Sequence, residues 1–156
     1  RREWIERLSL RQYGWHMVEA MGDYDRSDWQ PAASARRFEC GSPNMLGIHA
    51  LHASLSLLLQ VGIPYIFNSV SGKVQYLIDN IINSGGIVVS ETEPEQRAGI
   101  VTFRFDDDSE ARYRHLQKNG VICALRGGGI RFSPHFYTPE AVLERALAFS
   151  LEPLKS

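Results

Sequence analysis

A chain of 156 residues with 44% hydrophobic and 22% charged residues has the make-up of one ordinary globular domain, not of a disordered segment. Its formal net charge of −1 gives no electrostatic reason to expect nucleic acid or an anionic membrane surface as a partner. No apolar run approaches the ~20 residues that span a bilayer and no signal-peptide pattern opens the chain. Two cysteines, Cys40 and Cys123, are too few for a disulfide framework, so the expected compartment is the reducing cytoplasm.

The first forty residues hold three tryptophans, Trp4, Trp15 and Trp29, and no sustained hydrophobic period. That pattern predicts extended and irregular chain, with at most a short helix at "REWIERL". Order sharpens at "GSPN" (Gly41–Asn44), where Ser42 is placed to cap a helix and Pro43 to occupy its first turn. Ile48, Leu51, Leu55, Leu58 and Leu59 then recur at helical spacing and predict a strongly amphipathic helix. "VGIP" breaks that run. A second helix follows with Val74, Leu77, Ile78 and Ile81 on one face, and "NSGG" ends it.

The second half reads as strands interleaved with helices. "GIVVS" (Gly86–Ser90) and "GIVTFRFD" (Gly99–Asp106) are β-rich, the latter alternating Val101, Phe103 and Phe105 against Thr102 and Arg104. "DDDSEARYRHLQKNG" opens with carboxylates suited to a helix N-terminus and closes on Asn119-Gly120. "VICALRGGGIRFSP" predicts a strand, a glycine turn and a short strand. "TPEAVLERALAFSL" predicts a final helix with Thr138 as cap and Pro139 at the first position. The implied class is α+β: helices on one face of a mainly antiparallel sheet.

Several groupings invite chemistry. His49 and His52 stand at i, i+3 and can pair on a metal, but no third ligand of matching type follows, so no metal is expected. Asp106, Asp107 and Asp108 read more simply as a capping run than as a cation site. Cys123 in its apolar strand reads as inert core, and Cys40 as structural.

The arginines are better candidates. Arg131 alternates with Ile130 and Phe132, so its guanidinium points away from the apolar face and can fork onto a carboxylate. Arg126 opens the "RGGG" turn just before it, close enough to share one anion. On spacing alone, an ordinary salt bridge accounts for the pair equally well. "GSPN" is similarly open: an ordinary helix start, or a phosphate held by backbone N–H groups and a hydroxyl.

Taken in order, "RRFECGSPN", "GIVTFRF" and "LQKNGVICALRGGGIRFSPHFYTPEAVLERAL" resemble the C-terminal part of class V aminotransferases. These are fold-type I pyridoxal-phosphate enzymes that include cysteine desulfurases, kynureninases and isopenicillin-N epimerase-like proteins. The resemblance covers nearly the whole chain. It implies that residues 1–41 are the tail of a large cofactor-binding domain with its linker, and 42–156 a small C-terminal α+β domain. It also implies roles by position. Gly41 and Ser42 would reach the cofactor phosphate of the other subunit of a homodimer. Arg131, six residues before Tyr137, would bind the α-carboxylate of an amino-acid substrate, and Arg126 would line the same site.

Departures from the family pattern shape the expectation. Pyridoxal 5'-phosphate chemistry needs a lysine that holds the cofactor covalently. The chain has Lys73, Lys118 and Lys155, none following a strand as the family's lysine does. The expectation is therefore a C-terminal portion of a longer enzyme, inactive alone because that lysine is missing. Only "GGGI" separates Arg126 from Arg131, leaving no room for the cysteine-bearing insert of one desulfurase subgroup; "RFSPHFYTPE" is closer to the epimerase-like and kynureninase-like branches. The rival readings are a free-standing small-anion-binding module and a dimerisation module.

Overall fold

The computed structural model describes residues 1–154 and divides into two compact units, Arg1–Ser56 and the chain from Leu57 onward. The first unit is mostly turns. Short 3-10 helices cover Arg2–Trp4 and Ala35–Phe38, and an isolated antiparallel bridge joins Val18 to Pro31. Around that bridge the Glu19 N–H donates to the Gln30 carbonyl and the Ala32 N–H to the Met17 carbonyl, both at 2.8 Å. Met17 and Ala32 are the buried pair at its centre. The Arg36 guanidinium donates to the Val18 and Glu19 carbonyls, replacing the sheet partners that this lone bridge lacks.

Helix α1 spans Met45–Val61 and so runs across the division between the units. Its start corrects the sequence reading. Asn44, not Ser42, is the cap: its side chain accepts from the Gly47 N–H at 2.9 Å, and its carbonyl accepts the first helical bond from Ile48. Pro43 consequently lies outside the helix. The stripe expected from Ile48, Leu51, Leu55, Leu58 and Leu59 is not buried, because α1 has no buried residue. Leu46 and Leu57 add apolar side chains on the opposite side of the helix, so the apolar residues are not confined to one side of α1.

Helix α2, Ile63–Asn83, starts where "VGIP" interrupts α1. Gly62 at its cap has φ 95°, a left-handed conformation that an L side chain resists, and Pro64 follows in the first turn. Its buried residues are Val74, Leu77, Ile78 and Ile81, the set expected from i, i+3, i+4, i+7 spacing. Helix α3, Ser109–Lys118, is capped by the Asp108 carboxylate, which accepts from the Glu110 N–H at 2.9 Å. Helix α4 spans Glu140–Leu151. Pro139, not Thr138, takes its cap position. The Thr138 hydroxyl instead accepts from the His135 N–H at 2.9 Å and closes the turn ahead of the helix.

The sheet has four antiparallel strands in the order β1-β2-β4-β3: β1 Ile87–Val88, β2 Val101–Arg104, β3 Ala124–Arg126 and β4 Gly129–Phe132. Strands β3 and β4 form a hairpin through Gly127 and Gly128, at φ 64° and 81°, the two positive angles that a two-residue turn of matching twist requires. Register pairs Val101 with Phe132 and Phe103 with Ile130 on the helix side, where they join the buried faces of α2, α3 and α4 in one core. The fold is thus α+β with helices on one sheet face, as expected. No single described helix is long and apolar enough to cross a membrane.

Candidate functional site

Strand alternation sends Thr102, Arg104 and Arg131 to the sheet face opposite the core. Arg131 sits on β4 between Thr102 of β2 and Ala124 of β3. Arg126 pairs with Gly129, so it shares the face of Ala124 and Arg131 and lies diagonal to Arg131. Side chains at such diagonal positions have Cα atoms about 7–8 Å apart, within reach of two guanidinium arms. The two arginines proposed from spacing are therefore brought together.

What surrounds Arg131 distinguishes it. Its Nε is buried and has no hydrogen-bond partner, and among the described residues the side chain enters no ion pair. A charged donor held out of water without an acceptor is costly, and a carboxylate accepting from Nε and one terminal nitrogen removes that cost. Arg126 is exposed and likewise has no ion-pair partner among the described residues. The salt-bridge alternative therefore has no carboxylate to draw on among the described residues.

Sequence reading missed Arg104 as a member of this face. Continuing the β2–β4 register one residue past Phe103–Ile130 sets Arg104 beside Gly129, and its Cβ lies 3.5 Å from where a Gly129 Cβ would be. Alternation within "VTFRF" already separated Arg104 from the apolar residues. The strand order that sets it next to β4 was not readable.

Gly41 and Ser42 belong to the first unit, just ahead of α1. Ser42 is exposed, and a side chain on Gly41 would meet nothing within 4 Å. With Asn44 serving Gly47 and the Met45 N–H donating to Pro43, the Leu46 N–H and the Ser42 hydroxyl keep their capacity for an anion.

The lysines behave differently. Lys73 lies mid-way along α2, and its Nζ donates to Ser69 Oγ and to the Phe136 carbonyl, both at 2.8 Å. Lys118 ends α3, and Lys155 lies outside the described residues. Neither described lysine stands at the end of a strand. His49 and His52 are exposed on α1, and among the described residues no three His, Cys, Asp or Glu side chains converge as a metal site would require. Cys40 and Cys123 are free and half-buried; burial pushes the Cys123 thiol up and keeps it protonated. A cavity of about 580 Å³ lies on the helix side of the sheet, lined by Val121, Phe132, Val142 and Arg145 among others, away from the arginine face.

The family model for class V aminotransferases matches residues 1–138. The chain belongs to the class V aminotransferase family. Among its relatives is the uncharacterised aminotransferase YcbU of Bacillus subtilis (strain 168), 30% identical over 151 residues, which are 94% of this chain and 38% of YcbU. The fold matches that of apo cysteine desulfurase from Thermococcus onnurineus NA1 at a TM-score of 0.83 and 18% identity, covering 97% of this chain and 40% of that one. It also matches the enzyme C-DES with glycine covalently linked to its PLP cofactor: TM-score 0.78, 17% identity, 96% of this chain and 40% of the other. This class V aminotransferase chain thus spans about two fifths of the length of these proteins.

Proposed function

We propose that this chain is the C-terminal portion of a pyridoxal-phosphate enzyme acting on an amino acid, and that its contribution is recognition and not covalent chemistry. The observation that carries the reading is Arg131, with a buried Nε that has no acceptor among the described residues, on a sheet face shared with Arg126. Such a guanidinium takes the α-carboxylate of the substrate as a forked pair and fixes its orientation. Gly41 and Ser42, with the Leu46 N–H behind them, suit contact with the cofactor phosphate of a second subunit.

The described lysines do not fit anchorage of the cofactor. Lys73 Nζ is engaged by a hydroxyl and a carbonyl, and Lys118 ends a surface helix. The cofactor, where bound, supplies the electron sink, and a lysine outside the residues described must hold it. The short turn between Arg126 and Arg131 favours reactions of the epimerase-like or kynureninase-like kind over persulfide formation by a cysteine in that loop.

The test uses the longest native form of the protein. Its visible spectrum before and after borohydride is expected to show a bound chromophore that borohydride traps on a lysine outside this chain. Arg131→Gln is then expected to lower kcat/KM for the amino acid about a hundredfold while the spectrum stays, the loss expected of a forked charged contact. A colourless protein, a trapped adduct on Lys73, or an Arg131→Gln enzyme of unchanged kcat/KM defeats the reading.

A further inference from the structure

The unit from Leu57 onward holds seven arginines, and their surroundings fall into two groups. Arg97 donates to the Thr92 carbonyl, Arg112 is paired with Asp107, Arg114 with Glu110 at 3.1 Å, and Arg145 donates to the Asn119 carbonyl. Arg104, Arg126 and Arg131 have no described hydrogen-bond or ion-pair partner among the described residues. These three are the ones that share the sheet face opposite the core.

Register sets their geometry. Arg104 and Arg126 flank Gly129 in one row across β2, β4 and β3, two strand spacings or about 10 Å apart at the backbone. Gly129 contributes no side chain between them, and any Cβ there would run into the Phe103 carbonyl. Arg131 stands in the next row, two residues along β4, about 7 Å away at the backbone. Three like charges whose backbones stand about 7–10 Å apart, near one Debye length, repel one another, and none of them is ion-paired with a carboxylate among the described residues. A single α-carboxylate on Arg131 leaves two of the three unmatched.

We infer that Arg104, with Arg126, binds a second acidic group of the substrate, so that the site selects an amino acid whose side chain ends in a carboxylate or comparable acid. The inference rests on the reading of Arg131 as the α-carboxylate contact. Arg131 serves every amino acid, whereas Arg104 serves only the acidic ones. Exposed guanidinium arms on either side of a glycine can close on an acid of variable length, so both four-carbon and five-carbon diacids are accommodated.

Isothermal titration of the longest native form with aspartate, asparagine, glutamate and glutamine tests both statements without requiring turnover. Each acid is expected to bind about tenfold or more tightly than its amide, the worth of one charge-assisted contact. Arg104→Gln is expected to reduce that preference severalfold by weakening only the acids, and Arg104→Lys to restore part of it. Arg104 is exposed, so thermal melting of the variants should match the parent, which separates loss of a contact from loss of fold. Equal binding of acid and amide by the parent, or equal weakening of both by Arg104→Gln, overturns the second-acid inference. If Arg131→Gln leaves all four ligands unaffected, the α-carboxylate reading beneath it fails instead.

Discussion

Arg112 and Arg131 are the same residue type in the same unit, yet their surroundings give them opposite roles. Arg112 is buried, with its guanidinium on Asp107 and on the Ser150 and Glu152 carbonyls, so its donors are spent inside the fold. Arg131 keeps a buried donor without an acceptor among the described residues, the arrangement that the proposed anion would complete. Cys123 illustrates the same dependence on surroundings. Burial raises its pKa, and a raised pKa means less thiolate at a given pH, so the folded chain is the less reactive form. At pH 8 alkylation of Cys123 is expected to be slower in the native chain than in urea. The gap should narrow as pH rises past the ordinary thiol range of about 8.5. Equal rates at pH 8 in the two states contradict this.

Elements differ in how far their own residues decide them. Helix α2 carries a clean period, and its four buried residues are those the spacing selects. Leu77 is fully buried at the centre of that stripe, so Leu77→Ala is expected to cost about 2–5 kcal/mol in urea unfolding. Leu57→Ala on exposed α1 is expected to change stability by less than about 0.5 kcal/mol in the same measurement. Helix starts were less legible. Asn44 displaces Ser42 as the side-chain cap of α1, and Pro139 takes the cap position of α4 with no side-chain cap while Thr138 serves the turn before it, because the chain's approach to each helix decides which residue stands at its start. The hairpin was legible down to its turn, since two adjacent glycines with positive φ admit few alternatives.

At the scale of the molecule, the chain covers about two fifths of its relatives and presents α1 without a buried residue. Apolar exposure of that extent promotes association. The chain on its own is expected to self-associate with rising concentration in sedimentation velocity, and replacing Leu46 and Leu59 by glutamate is expected to suppress it; concentration-independent sedimentation of the unsubstituted chain contradicts the expectation. Residue order alone determined the α+β class, the α2 core stripe, the glycine hairpin and the candidacy of Arg126 and Arg131, because each depends on spacing within one element. Tertiary structure decided which arginines lack partners, that Arg104 joins the other two, and that α1 buries nothing. Those outcomes depend on strand order, register and packing between segments distant in the chain. A local period records none of these, because it specifies which way a side chain points but not what stands opposite it.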